Sequence, residues 1–172
     1  MGKLKIMVVF GTRPEAIKMA PLVLELQKQR ETIETITVVT AQHRQMLDQV
    51  LETFNIVPDY DLDIMGKSQT LLDITSKILN QLDPVIKKEK PDMVLVHGDT
   101  TTTFCRRVWF AFSIKSALVT SKLVCRTFDK YSPYPEEMNR QMTDDLADLY
   151  FAPTGESKAN LLKKIIRNPL LW

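Results

Sequence analysis

The chain has 172 residues, 44% hydrophobic and 26% charged, enough apolar material for one domain with a real core. A net charge of +2 leaves no basic surplus of the kind that binds nucleic acid or an anionic membrane. Its two cysteines, Cys105 and Cys125, stand in no metal-ligand spacing, and the apolar run after Lys3 is too short for a signal sequence or a membrane span, so a cytoplasmic protein is expected.

Leu4–Phe10 is short, apolar and rich in β-branched residues, and it closes on Gly11-Thr12, so it reads as a buried strand. Gly11 permits a sharp turn, Thr12 can cap, and Pro14 suits a first helical turn, so a helix follows to about Gln29. Strand, tight turn and helix N-terminus together form an arrangement that binds anions. Arg13 and Lys18 place two cations beside it, although an ordinary βα turn with solvated cations fits the same residues. Thr35–Thr40 reads as a second strand. Met46, Leu47, Val50, Leu51 and Phe54 then recur at helical spacing. Pro58 and the acidic Asp59–Asp63 segment predict a loop or a short edge strand. Leu71 to Lys88 is amphipathic, with Leu71, Ile74, Ile78, Leu82 and Val85 on one face, and Met93–Val96 is a third buried strand. No internal repeat interrupts this order. Alternating strands and helices with short connections predict an α/β fold with a doubly wound parallel sheet.

Three loops leave strand ends on one predicted edge: Gly11–Arg13, Ala41-Gln42-His43-Arg44, and His97–Thr103. Open α/β sheets bind ligands at that edge. Asp99, just past a strand, fits a helix N-cap and equally a carboxylate for sugar hydroxyls or proton transfer. His43 fits a surface group or a base. In Tyr131–Arg140 two prolines precede Glu136 and Glu137, which suits acids in a first helical turn or an acid/base carboxylate on a rigid turn.

Phe10-Gly11-Thr12-Arg13-Pro14-Glu15-Ala16-Ile17-Lys18-Met19-Ala20-Pro21 resembles the opening signature of the non-hydrolysing UDP-N-acetylglucosamine 2-epimerases. Thr40–Asp48, Val96–Thr103 and Tyr131–Arg140 resemble later blocks of that family, in the same order. The resemblance implies a Rossmann-like sheet as the N-terminal half of a GT-B-type two-domain fold, with catalysis in the cleft between the halves. It implies that C2 of UDP-GlcNAc is inverted to give UDP-ManNAc by C2 proton removal and departure of UDP, after which UDP adds back while a proton arrives on the opposite face of C2. On this resemblance Asp99 and Glu136 are the acid/base candidates, Arg13 and Lys18 contact nucleotide or phosphate, and Gln42, His43 and Arg44 line the cleft or a neighbouring regulatory site. It implies no metal, no cofactor and a homodimer. Without the epimerase features, the same fold would suit a glycosyltransferase donor domain or a nucleotide-binding module that lacks catalysis.

The resemblance lapses between Phe104 and Arg126, where the family continues with a small-residue helix, a strand and a Gly-His-Val-Glu-Ala-Gly-Leu-Arg-Thr block. In a shifted frame, codons compatible with Leu118–Cys125 encode Gly-His-Val-Glu-Ala-Gly-Leu, and the family pattern resumes at Arg126-Thr127. Lys164–Trp172 departs similarly. The expectation is a single domain over 1–172, with 105–125 and 164–172 translated out of frame and no C-terminal domain. Lys122 would then stand where the family has a catalytic glutamate, and the chain would not catalyse alone.

Overall fold

The computed structural model describes residues 2–41, 44–66, 68–98, 100, 117–120, 129, 131–139, 142, 149–150, 154–155, 159 and 170–171. In chain order the elements are β1 (Leu4–Phe10), α1 (Arg13–Lys28), β2 (Ile33–Val39), α2 (Arg44–Thr53), β3 (Tyr60–Asp61), α3 (Leu71–Glu89), β4 (Met93–Val96), β5 (Ala117–Thr120), β6 (Leu149–Tyr150) and β7 (Leu170–Leu171). They build one sheet in the order β3-β2-β1-β4-β5-β6-β7, with every described ladder parallel. Strand order reverses between β1 and β4, which is the switch point of a doubly wound sheet.

β1 is apolar on both faces because both faces are covered. Ile6, Val8 and Phe10 pack with Ala16, Met19, Ala20 and Val23 of α1 and with Leu47, Val50 and Leu51 of α2. Met7 and Val9 pack on the other side with Leu82, Val85 and Ile86 of α3, beside Val94 and Val96. Among the described residues, α1 and α2 therefore cover one face and α3 the other. Each fully buried aliphatic side chain contributes about 1.5–3 kcal/mol, so these two clusters account for most of the driving force in the described half.

The local signals explain the element ends. Thr70 and Asp73 form a reciprocal capping box that starts α3, and Lys90 ends the helix in the left-handed region at φ 48°. The expected strand at Thr35–Thr40 begins at Ile33 and stops at Val39, because Ile33 aligns with Leu4 at the start of β1. The Asp59–Asp63 segment contains the short edge strand β3, tied down by Asp59, whose carboxylate accepts from the Thr37 amide at 2.7 Å. Two residues expected on apolar faces are instead exposed: Met46 at 45% and Leu71 at 44%. For Leu71 the reason is length. The 19 residues of α3 span about 28 Å whereas the 7 of β1 span about 23 Å, so the first turn overhangs the sheet. β5 and β7 lie within the stretches that depart from the family pattern, and both extend the parallel sheet. The apolar run Val108–Phe112 lies outside the described residues.

Candidate functional site

Parallel register decides where the loops go. Phe10 aligns with Val39, and Val9 aligns with Val96, so the segments following β1, β2 and β4 leave the sheet at one edge. Arg13, Arg44 and Thr100 belong to these segments, whereas Gln42, His43 and Asp99 lie outside the described residues.

The centre of this edge is Glu15, a residue the sequence does not single out. It is only 4% exposed. Its Oε2 accepts from the Gly11 amide at 2.8 Å and the Thr12 amide at 3.1 Å. Its Oε1 accepts from the Thr100 hydroxyl at 2.9 Å. Gly98, at φ +98°, passes so close that a Cβ there would sit 3.2 Å from Glu15 Oε1. A negative charge in the first turn of α1 suits the helix dipole, and three donors meet the requirement for burying it. This corrects one expectation. The Gly11 and Thr12 amides that the strand–turn–helix pattern offers to an external anion are already taken by the helix's own carboxylate.

Positive charge for a ligand at this edge therefore comes from side chains. Arg13 and Lys18 are both exposed and make no ion pair among the described residues. At 3.6 residues per turn they sit about 140° apart around α1, so they flank the exposed stripe without sharing one face. Arg44 is different. Its Nη1 lies 2.6 Å from Asp61 and 3.6 Å from Asp63, and its Nε lies 3.2 Å from Asp48. Attraction to Asp61, with lesser help from Asp48, holds its pKa above the ordinary arginine value. Its charge is thus matched within the fold, where it ties α2 to the end of β3.

Backbone conformation adds to the picture. Ala41, at the end of β2 and 1% exposed, has φ 53°, and Asp63, just past β3, has φ 40°. A side chain in the left-handed region costs roughly 1–2 kcal/mol, so the packing around these loop starts must outweigh it. Glu136 begins the helical turn at 136–139 and is half-buried. Its neighbour Glu137 is fully buried, with Asn139 at 4%, while Tyr131 and Tyr134 are exposed. Among the described residues no group of three His, Cys, Asp or Glu side chains could hold a metal ion, and no described helix is long and apolar enough to cross a membrane.

The missed residue had a signal. Thr12 to Glu15 is a Thr-x-x-Glu capping box, the same spacing that starts α3 at Thr70 and Asp73. What the spacing does not carry is the second oxygen's bond to Thr100.

A family model described as UDP-N-acetylglucosamine 2-epimerase matches residues 25–169. The UDP-N-acetylglucosamine 2-epimerase of Bacillus subtilis is 62% identical over 164 residues, covering 95% of this chain and 43% of that protein. The crystal structure of the UDP-GlcNAc 2-epimerase from Neisseria meningitidis bound to UDP-GlcNAc superposes with a TM-score of 0.86 at 53% identity, over 95% of this chain and 44% of that one. A co-structure of MnaA from S. aureus with UDP gives 0.87 at 56% identity, over 95% and 43%. The chain thus spans less than half the length of the relatives it matches.

Proposed function

This chain belongs to the UDP-N-acetylglucosamine 2-epimerase family, and from that premise we propose that it is the nucleotide-sugar-binding N-terminal half of such an enzyme, with UDP-GlcNAc or UDP as ligand. Its fold is the Rossmann-like doubly wound parallel sheet of the N-terminal half of a GT-B-type protein. The observation that carries the proposal is the shared edge: the loops after β1, β2 and β4 leave the sheet side by side, with exposed Arg13 and Lys18 beside them.

In this reading a carboxylate removes the C2 proton while the C1–oxygen bond to UDP breaks, giving a 2-acetamidoglucal. UDP then returns to C1 as a proton arrives at C2 from the other face. The chemistry needs acids near C2 and cations against the departing diphosphate. Asp99 and Glu136 take the first role. Arg13 and Lys18 take the second, and Gln42 and His43 line the cleft. Arg44, matched by Asp61, supports that lining more than it supplies charge. A homodimer in the cytoplasm belongs to the same proposal.

We further propose that residues 1–172 form one domain in which 105–125 and 164–172 are read out of frame. Lys122 then replaces a needed carboxylate with a cation, and the chain binds without turning over. Resequencing the coding region tests the frame. Calorimetry with UDP and UDP-GlcNAc tests binding, and NMR in D2O tests exchange at C2. The expected result is saturable binding with no deuterium at C2. Absence of binding overturns the site, and brisk deuterium incorporation overturns the inactivity.

A further inference from the structure

We propose that Glu15 is a positioning residue of the candidate cleft, its one buried carboxylate fixing the separation between the loop that carries Arg13 and the loop that carries Asp99; the inference rests on the nucleotide-binding proposal above. A helix cap alone needs a single oxygen, and Oε2 already serves the Gly11 and Thr12 amides. Oε1 is turned elsewhere, onto the Thr100 hydroxyl and against Gly98. Thr100 lies 85 positions away in sequence, so this bond is tertiary and spans the switch point between β1 and β4. Gly98 and Thr100 are the sequence neighbours of Asp99 on either side. One side chain thus binds the residue after the candidate acid and the two residues before Arg13, and lies close beside the residue before that acid.

The sign of the charge points the same way. A carboxylate buried beneath a diphosphate site would repel the ligand, so Glu15 does not serve by attracting it. Its charge is met by amides and the α1 dipole, which leaves the anion to Arg13 and Lys18 further out. What Glu15 supplies is spacing. Groups that must converge on one ligand lose affinity steeply when one loop drifts by an ångström.

The test compares UDP affinity with stability in the full 172-residue chain. Thr100→Val removes the hydroxyl at constant shape and leaves the cap on Gly11 and Thr12 in place. It is expected to weaken UDP binding about tenfold by calorimetry and to lower the melting midpoint as well, because the buried carboxylate loses a donor, while the chain stays folded at the temperature of the titration. Thr100→Ser restores the hydroxyl and should restore affinity. Glu15→Gln should stay close to the parent, because its amide oxygen can accept from both backbone amides while its NH2 donates to Thr100 Oγ. Should Thr100→Val fail to fold, Thr100→Ala carries the same comparison. Unchanged UDP affinity in the folded Thr100 variant overturns the proposal and leaves Glu15 as a helix cap. Failure of the parent chain to bind UDP overturns the nucleotide site itself, and this inference with it.

Discussion

The two edges of the sheet handle their polar groups in opposite ways. At the amino edge, where strands begin, a group of charges around Lys5 and Glu89 satisfy one another at the surface. Lys5 reaches Glu34 at 3.1 Å and Glu89 at 3.3 Å, Tyr60 donates its hydroxyl to Glu89, and Lys88 stands 5.2 Å from the centre of the Tyr60 ring. The positive-φ residues there, Asn55 and Lys90, follow α2 and end α3, positions where the left-handed region is ordinary. At the carboxyl edge a carboxylate is buried, Ala41 and Asp63 are held left-handed without a helix end to explain them, and two cations on α1 stay exposed. Around Lys5 and Glu89 the amino edge pairs its charges, although Lys3 and Arg30 nearby are exposed and make no ion pair among the described residues. At the carboxyl edge, among the described residues, a buried and hydrogen-bonded carboxylate underlies exposed cations, the division expected where a scaffold presents a ligand site.

The largest expected effect separates the edges by backbone. Gly98→Ala puts a methyl 3.2 Å from Glu15 Oε1 at φ +98°, which should cost about 2 kcal/mol in chemical denaturation and weaken UDP binding with it. A change below about 0.5 kcal/mol would mean that the carboxyl edge is as forgiving as the other.

The amino edge should respond to acid instead. The hydrogen bond from Tyr60, foremost, and that from Lys5 hold Glu89 below the ordinary carboxylate range, against its partial burial. A carboxylate depressed in the folded state contributes stability that is complete above its unfolded pKa and lost as pH falls through the folded one. Glu89→Gln should therefore cost about 1 kcal/mol at neutral pH, and the gap from the parent should close in acid. Lys5 works in the other direction: raised foremost by its hydrogen bond to Glu34, its contribution is lost only on the alkaline side. Thermal melts across pH read both limbs, and a gap that persisted in acid would remove the ionic account. UDP affinity should not follow these changes.

The smallest effect on stability belongs to the exposed cations. Arg13→Ala and Lys18→Ala should each shift stability by less than about 0.5 kcal/mol, since neither has an ion partner among the described residues. They should still weaken UDP binding, in calorimetry, more at low salt than at high. Stability loss without affinity loss would turn the comparison of the edges around.

Much of the architecture was legible in the chain. β1 and β4 fall where the apolar runs Leu4–Phe10 and Met93–Val96 place them, and α3 covers the amphipathic stretch from Leu71 almost to the residue. The sites were legible as loops but not as contacts. Arg44 is expected, with Gln42 and His43, to line the cleft or a neighbouring regulatory site, yet its guanidinium is paired with Asp61 and Asp63. The prolines set off Glu136 and Glu137 as a pair and the resemblance picks Glu136, yet Glu137 is the one that is fully buried. Nothing in the local pattern separates these cases, because a side chain's partner depends on which strands become neighbours.

The sequence by itself determined the order of strands and helices as far as Val96, the parallel class of the sheet and the edge where its first loops gather, since these follow from periodicity and chain reach, whereas β5, β6 and β7 carry no such signal. Only the tertiary structure decided that the carboxylate of Glu15 closes the helix start with one oxygen and holds Thr100 with the other. That choice required β1 and β4 to lie side by side, and the adjacency of segments so far apart in the chain is fixed by packing across the whole sheet rather than by any residue's own preference.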